Sequence, residues 1–250
     1  MSERLLTHYE AKYANGQDVI EAITTYATPR DRFEACMVHF PRHFTGGSIL
    51  ELAAGNGRVA KSLLATDLPC SEYTLSDLAE ARLEAIRTAG PDPRMRFTRL
   101  DAEDLRDEPS ARFDAIIMLA LIEHLIDPIG AMTEIRRMLC PGGFVYINTP
   151  NIAKFTRRLR LLAGRFPSTA SRDEGLSTFS GQPVDLFEEG HLHYFTYRSL
   201  SRMLTERCGF SRVEKLAYYE GPSLVSRRIE TALARAWPEM FSELCLVAYS

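Results

Sequence analysis

Three acidic residues lie at the carboxyl ends of three successive predicted strands, where open α/β sheets bind their ligands. They are Glu51, Asp77 and Asp101. A carboxylate can accept both hydrogen bonds that a pair of ribose hydroxyls donates, and it also attracts an ammonium or sulfonium group. Asp77 and Asp101 could instead be helix N-caps. All three acids together favour a ligand that carries both a ribose and a positive charge.

A Gly-x-Gly turn, Gly55-Asn56-Gly57, follows the first acid and precedes a helical pattern. In a dinucleotide-binding fold such a turn cradles a pyrophosphate, and Ala60 at the third glycine position is compatible with that fold. Glu51 argues against it, because an acid at the end of the first strand repels pyrophosphate. S-adenosyl-L-methionine carries an ammonium, a sulfonium and a ribose, so the turn and the acids together indicate this ligand.

Strand and helix patterns alternate from residue 49 onward and predict an α/β fold. We expect a Rossmann-like, doubly wound and mostly parallel sheet of about seven strands. The predicted strands cover residues 49–52, 72–75, 96–100, 115–119, 144–149, 212–218 and 244–248. The predicted helices cover residues 58–65, 79–89, 129–139, 199–208 and 224–236, and the third of these is expected to stop at the Pro-Gly-Gly of residues 141–143.

Two segments stand apart from this alternation. Residues 1–45 show helical spacing and predict an N-terminal helical cover, which leaves residues 46–250 as the main domain. Residues 150–190 contain a predicted basic helix at 151–162 and then a stretch rich in Gly, Ser, Thr and Pro. A long irregular segment inside a compact domain is usually functional or mobile, so we interpret 150–190 as a lid inserted after strand five.

Composition excludes several classes of protein. The chain has 250 residues and a formal net charge of −3, so a nucleic-acid partner is not expected. No stretch approaches the ~18 apolar residues of a membrane span. The five cysteines are scattered and form no Cys-x-x-Cys motif, which predicts neither a disulfide framework nor a zinc site. The first residues lack the pattern of a signal peptide, so a cytoplasmic location is expected.

Four segments resemble the class I S-adenosylmethionine-dependent methyltransferases: residues 51–57, 100–105, 113–128 and 139–151. The chain departs from the family in the Gly-rich turn, where Ala53 stands in place of the first glycine. The resemblance implies a methyltransferase with S-adenosyl-L-methionine as its cofactor. The cofactor-binding residues it implies are Glu51, Ala53, Gly55, Asn56, Gly57, Asp77, Leu78, Asp101, Ala102 and Leu119.

Three histidines could act as a general base, because imidazole titrates near neutral pH. His124 follows strand four, and His191 and His193 follow the lid and share one face if their segment is extended. The pair Glu123-His124 resembles that of ubiquinone-type O-methyltransferases, where it helps to hold a divalent metal together with an acid three residues earlier. Ala120 occupies that position, so no metal site is expected. Bracing of the site wall is the alternative role for the pair.

These residues predict methyl transfer from S-adenosyl-L-methionine to a small molecule, most simply to a hydroxyl of a sugar, polyketide, quinone or lipid-type metabolite. Methylation of nitrogen or carbon, a nicotinamide-dependent oxidoreductase and a non-catalytic cofactor-binding subunit remain alternatives. Arg157, Arg158 and Arg160 in the lid favour an anionic or carrier-bound acceptor, unless they form a solvated helix face. A homodimer is left open, and neither the acceptor nor the choice of base follows from the sequence.

Overall fold

A computed structural model describes residue 23 and residues 28–170, 190–221 and 223–250. Seven strands form one sheet in the order β3-β2-β1-β4-β5-β7-β6. The first five strands run parallel, whereas β7 is antiparallel to both β5 and β6. The strands are β1 Gly47–Leu52, β2 Cys70–Asp77, β3 Met95–Arg99, β4 Phe113–Leu119, β5 Leu139–Thr149, β6 Arg212–Lys215 and β7 Leu244–Tyr249. This arrangement confirms the predicted mostly parallel, seven-stranded sheet.

Helices follow the strands along the chain, as the alternating pattern predicts. They are α1 Arg32–His39, α2 Arg58–Leu64, α3 Glu80–Thr88, α4 Pro128–Met138, α5 Phe155–Leu162, α6 Tyr197–Arg202, α7 Arg227–Ala236 and α8 Pro238–Phe241. A π-helical turn, Met203–Arg207, extends α6, and short 3₁₀ turns cover Phe40–Arg42 and Ile122–His124. No helix of the described ranges is long and apolar enough to cross a membrane.

Both faces of the sheet are buried, as expected for parallel strands joined by crossover helices. Ile49 of β1 belongs to the core on one face, and its neighbour Leu50 belongs to the core on the other. Successive side chains of a strand point to opposite faces, which places these neighbours in separate cores. The strand β1 lies between β2 and β4, so the strand order reverses there. A ligand crevice is expected at that reversal, beyond the carboxyl ends of β1 and β4.

The Pro-Gly-Gly segment differs from its prediction. The helix α4 ends at Met138 and β5 begins at once at Leu139, so the segment lies within the strand and does not stop the helix. Gly142 has a left-handed φ of 79°. A Cβ on Gly143 would come within 2.9 Å of the carbonyl oxygen of Asp114. The segment therefore allows β5 to approach β4 closely where their register shifts.

The two outer segments are only partly described. Within the predicted cover, α1 is present, whereas residues 1–22 and 24–27 lie outside the described residues. Within the predicted lid, α5 confirms the helical part of residues 151–162, and residues 171–189 lie outside the described residues. Near the carboxyl terminus, β6 ends at Lys215, earlier than predicted, and Tyr218 pairs with Glu243 only through an isolated bridge.

Candidate active site

A cavity of about 820 Å³ opens at the carboxyl ends of β1, β2 and β4. Its size suits a ligand of several hundred daltons. All three acids singled out from the sequence line it, namely Glu51, Asp77 and Asp101. The other predicted cofactor-binding residues on its wall are Ala53, Gly55, Asn56, Leu78, Ala102 and Leu119.

Gly57 is the one predicted cofactor-binding residue outside the lining. It precedes α2 with a left-handed φ of 72°, and a Cβ there would lie 3.0 Å from the side chain of Ile86. Its position therefore serves the turn into α2 and the packing of α2 on α3. The turn is left-handed at Gly55, with φ of 60°, and also at Ala53, with φ of 54°. Ala53 thus takes up the backbone conformation for which a glycine is the usual residue.

Asp77 connects the end of β2 to the Gly-rich turn. Its Oδ2 accepts a hydrogen bond of 3.0 Å from the N–H of Gly55, and its Oδ1 accepts one of 3.0 Å from the N–H of Ala79. Burial raises the pKa of the carboxyl, while these N–H groups and the nearby Arg82 act to lower it. Arg82 Nη1 lies 3.9 Å from Asp77 Oδ2. Asp77 therefore shapes the turn as well as facing the cavity.

Glu51 is almost completely buried at the inner end of the cavity. Its Oε2 accepts a hydrogen bond of 2.7 Å from the hydroxyl of Tyr73, on the neighbouring strand β2. Burial nevertheless raises the pKa of Glu51 to about 8. A cationic group beside this carboxyl would favour its ionised form, because an opposite charge nearby lowers the pKa of an acid.

Asp101 lies beyond the end of β3. Its Oδ1 accepts a hydrogen bond of 3.0 Å from the N–H of Glu103, which stabilises the turn after the strand. The carboxylate of Glu103 in turn accepts a hydrogen bond from the N–H of Ile126. The contact between Glu103 and Ile126 joins the loop after β3 to the loop after β4 along one side of the cavity.

Two of the three predicted histidines face the same cavity. His124 ends the 3₁₀ turn after β4, and its Nδ1 lies 3.2 Å from the carbonyl oxygen of Gly190. The ring of His191 meets that of His124 edge to face, with 4.7 Å between the centroids. The Nδ1 of His191 lies 2.7 Å from the hydroxyl of Thr169. Both histidines line the cavity, and so does Thr169.

His193 does not line the cavity, although the sequence places it with His191. Its ring lies beside Phe195, with 6.1 Å between the centroids. The segment is not a regular strand here, because the N–H groups of Leu192 and His193 both donate to the carbonyl oxygen of Glu123, at 2.8 and 3.1 Å. The segment is therefore not the regular strand on which a shared face would depend, and of the two histidines only His191 lines the cavity.

Glu123 is a buried carboxyl directly behind the histidines. Its Oε2 accepts a hydrogen bond of 2.8 Å from the hydroxyl of Thr149, and its Oε1 has no hydrogen-bond partner among the described residues. Burial raises its pKa to about 7. Donor atoms of Glu123, His124 and His191 all lie within 4.8 Å of one another, a spacing that could hold a metal ion. In the related enzymes an acid at the position of Ala120 completes the set of metal ligands. Here His191 supplies a third possible ligand beside Glu123 and His124.

Further residues line the cavity although the sequence did not indicate them. Arg32 and Phe33 of α1 line the cavity, and the guanidinium of Arg58 lies 5.3 Å from the ring centroid of Phe33. Arg82 reaches Asp77 from α3. The contact of Phe33 with Arg58 joins α1 to α2 across β1, whereas that of Arg82 with Asp77 joins the consecutive elements β2 and α3. No motif marks these residues, although the helical spacing of residues 1–45 predicts an element in the place of α1.

The family model described as a methyltransferase domain matches residues 25–215 of the chain, which is well over half of its length. The chain belongs to this family. Together with the acids and the turn at the cavity, the match identifies a class I S-adenosylmethionine-dependent methyltransferase.

Individual relatives agree with this assignment. The ubiquinone biosynthesis O-methyltransferase of Alkalilimnicola ehrlichii is 30% identical over 108 residues, which cover 42% of this chain and 42% of that relative. The match thus spans less than half the length of that methyltransferase. Relatives of the same name from other bacteria are 25–27% identical over similar lengths.

Solved methyltransferase structures share the fold. An S-adenosylmethionine-dependent methyltransferase from Mesorhizobium loti gives a TM-score of 0.55 at 19% identity, over 86% of this methyltransferase and 98% of that chain. Phosphoethanolamine N-methyltransferase 2 of Haemonchus contortus, solved with S-adenosyl-L-methionine, gives a TM-score of 0.58 at 15% identity. That comparison covers 98% of this methyltransferase and 56% of that chain.

Proposed function

We propose that this methyltransferase transfers the methyl group of S-adenosyl-L-methionine to a hydroxyl oxygen of a small molecule. The observation that carries the proposal is the pair His124 and His191, which lines the same cavity as the three acids. A hydroxyl is a weak nucleophile until a base removes its proton, and a histidine is the side chain best suited to that task near neutral pH.

The three acids would hold the methyl donor. Glu51, at the inner end of the cavity, would pair with the donor's ammonium group, and Asp77 would accept hydrogen bonds from its ribose hydroxyls. Asp101, Ala102 and Leu119 would lie around the adenine. S-adenosyl-L-methionine supplies a methyl group that is already activated by its positively charged sulfur, so the protein's main task is to align the two reactants.

The histidines hold the acceptor side of the cavity. The imidazole of His124 or His191 would take the proton from the acceptor hydroxyl, and the bound donor would supply the methyl group and leave as the neutral thioether. Thr169 holds one ring nitrogen of His191, and the carbonyl oxygen of Gly190 lies beside Nδ1 of His124, so both rings have a defined orientation. Alignment of this kind is worth roughly 7–11 kcal/mol of the barrier, and a base adds roughly 10²–10⁴-fold in rate.

Similarity to O-methyltransferases supports oxygen as the acceptor atom. The proposal is tested in two stages with the full chain. Titration calorimetry with S-adenosylhomocysteine measures donor-site binding, and absence of binding would contradict the donor assignment. Labelled S-adenosyl-L-methionine is then offered with matched panels of phenols, sugars, amines and activated carbon acids. Label transferred only to amines or carbon would contradict the choice of a hydroxyl acceptor while leaving the donor assignment intact.

A further inference from the structure

The helix α5 exposes an unusual amount of apolar surface. None of its eight residues is buried. Phe155, Leu159 and Leu162 recur at helical spacing, and Leu162 is 85% exposed. Single exposed apolar residues are common on soluble proteins, but a helix whose large apolar side chains all face outward indicates a surface that something covers.

A second apolar stripe lies on α7 and just beyond it. Ile229, Leu233 and Trp237 recur every four residues and therefore lie on one face. All three are exposed, and Trp237 is 57% exposed. The opposite face of α7 is buried, with Glu230 and Ala234 packed against the body of the protein. The outward stripe is thus the unpartnered side of a docked, amphipathic helix.

Aromatic contacts join the two stripes into one surface. The ring of Phe155 stacks on that of Phe241 in α8, with 6.0 Å between the centroids. Phe241 also meets Trp237 edge to face at 6.3 Å. We call the exposed apolar side chains of α5 and of residues 225–237 the apolar patch. It is continuous across three helices.

Buried polar contacts hold the patch in place. Glu243 accepts hydrogen bonds from Lys154 Nζ at 3.0 Å and from Arg157 Nη1 at 3.1 Å, which ties the start of α5 to the start of β7. Glu230 accepts one of 2.7 Å from the N–H of Leu224, which ties the segment before α7 to that helix. The patch is therefore part of the folded structure rather than a frayed end.

The charge around the patch is mostly positive. Residues 155–166 contain four arginines and no acid, and residues 223–241 contain three arginines and two acids, the buried Glu230 and Glu239, which pairs with Lys215. Arg158, Arg228 and Arg235 are among those with exposed side chains. The chain as a whole carries a net charge of −3, so this concentration of positive charge is local. Two copies of the patch facing each other would bring like charges together, which disfavours self-association through it.

We propose that the apolar patch binds the surface of a membrane that contains anionic phospholipids. The leucines, Ile229 and the aromatic rings enter the boundary between headgroups and acyl chains, and the arginines contact lipid phosphates. Arginine and tryptophan suit this boundary because each joins an apolar body to a polar end. This surface is separate from the cofactor residues and does not depend on the acceptor proposed above.

The topology places the patch beside the cavity entrance. Thr149 at the carboxyl end of β5 pairs with Leu244 at the start of β7, so α5 and α8 both lie at the sheet edge where the cavity opens. The chain continues from α5 to Thr169 and Ala170, which line the cavity. Docking on a membrane would therefore bring the cavity close to acceptors dissolved in the bilayer.

Vesicle flotation of the full chain tests the proposal. Binding to vesicles of phosphatidylcholine and phosphatidylglycerol in equal parts should exceed binding to pure phosphatidylcholine by at least about tenfold and should fall with added salt. Ile229→Glu with Leu233→Glu should abolish binding. Arg158→Ala with Arg228→Ala and Arg235→Ala should weaken it by about a hundredfold, since each arginine near an anionic surface contributes about fivefold.

A triple variant outside the patch is the matched control. Arg106, Arg202 and Arg212 are exposed on other elements, so their replacement by Ala should leave vesicle binding unchanged. Thermal unfolding and S-adenosylhomocysteine titration confirm that every variant is folded. The proposal would be overturned if the protein bound neutral and anionic vesicles equally or bound neither. It would also be overturned if both triple variants lost vesicle binding to the same extent. Concentration-dependent dimerisation that Ile229→Glu with Leu233→Glu abolishes would assign the patch to a second copy and overturn it as well.

Discussion

The rings of His124 and His191 meet edge to face with their centroids 4.7 Å apart, although the two residues are 67 positions apart in sequence, on either side of residues 150–190. Nδ1 of His124 lies beside the carbonyl oxygen of Gly190, the residue that precedes His191. The contact thus joins the turn after β4 to the return segment, which begins at Gly190. The position of the proposed base depends on that return segment.

Replacement of these histidines should lower the rate without affecting donor binding. His124→Gln and His191→Gln keep a polar side chain of similar reach but cannot accept a proton near neutral pH. For the variant that removes the base, we expect kcat to fall by about 10²–10⁴-fold while S-adenosylhomocysteine affinity stays within about twofold. His43→Gln, whose ring contacts Tyr249 away from the cavity, is the control and should keep full rate. Full rate in both cavity variants would contradict the base assignment.

The same assays show whether the cluster of Glu123, His124 and His191 works through a cation. A base role predicts equal rates in EDTA and in added divalent cation, because proton transfer to imidazole needs no metal. Turnover that EDTA abolishes and that Zn²⁺, Mn²⁺ or Mg²⁺ restores would instead assign these three side chains to a metal site, since imidazole and carboxylate together suit such ions. The measurement is the initial rate for the wild-type methyltransferase in each condition.

Asp77→Asn should weaken binding of the donor. The amide keeps the size of the side chain, but it removes the charge and one acceptor oxygen from a group that contacts Gly55 and Ala79. Hydrogen bonds to charged groups contribute about 1.5–3 kcal/mol, so calorimetry should show about a tenfold to hundredfold loss of S-adenosylhomocysteine affinity. Asp104→Asn, at an exposed carboxylate outside the cavity lining, is the control. Unchanged affinity in Asp77→Asn would remove its assignment to the ribose.

Glu51→Gln should stabilise the ligand-free protein at high pH and weaken its binding of the donor. Burial raises the pKa of Glu51 to about 8 in the folded state. Between the ordinary carboxyl pKa of ~4.3 and pH 8 the folded state holds a proton that the unfolded state has released, so the wild type loses stability as pH rises through this window. The glutamine variant has no such loss. The free energy of unfolding of the variant minus that of the wild type should therefore be larger by a few kcal/mol at pH 9 than at pH 4.

Urea unfolding at both pH values measures this difference, and calorimetry at pH 7 measures the affinity. Tyr73→Phe removes the hydroxyl that donates to Glu51 and tests the site from the other side. Since that hydrogen bond favours the ionised carboxyl, its loss should enlarge the destabilisation of the protein at pH 9. A pH-independent difference between Glu51→Gln and wild type would contradict a raised pKa.

Local sequence patterns predict the sheet and the side of the cavity that carries the three acids, because strand periodicity and the position of an acid after a strand are properties of neighbouring residues. The acids are Glu51, Asp77 and Asp101, and all of them line the cavity. The side that carries the histidines is only partly predictable. The contact of His124 with His191, and that of Thr169 with His191, depend on where the chain lies after residue 190, which no local spacing encodes.

The Pro-Gly-Gly segment illustrates a different kind of error. Glycine after a helical pattern normally indicates a helix stop, but here the close approach of β4 and β5 decides the role of Gly143. His193 differs from His191 in that it does not line the cavity, and its N–H donates to the carbonyl oxygen of Glu123. In the Pro-Gly-Gly segment a tertiary contact outweighs a local preference.

Ala53→Gly should stabilise the protein without loss of donor binding. Ala53 has a left-handed φ of 54°, a conformation that costs a residue with a Cβ about 1–2 kcal/mol. Glycine removes this strain but gains more freedom in the unfolded chain, which offsets about 0.5–1 kcal/mol. The net effect on the free energy of unfolding should be a gain of up to ~1.5 kcal/mol. Ala111→Gly, at φ of 50° and away from the cavity, should give a similar gain and is the matched control.

Donor affinity separates two roles for the Ala53 methyl group. If the turn merely tolerates the Ala53 methyl group, and this group makes no contact with the donor, Ala53→Gly and Ala111→Gly should both keep S-adenosylhomocysteine affinity within about twofold. Since Ala53 lines the cavity and Ala111 does not, a tenfold loss confined to Ala53→Gly would show that the methyl group contacts the donor. In that case the departure from glycine would be a feature of the binding site, stabilising the complex at the expense of the strained backbone. Urea unfolding and calorimetry on the two variants distinguish these outcomes.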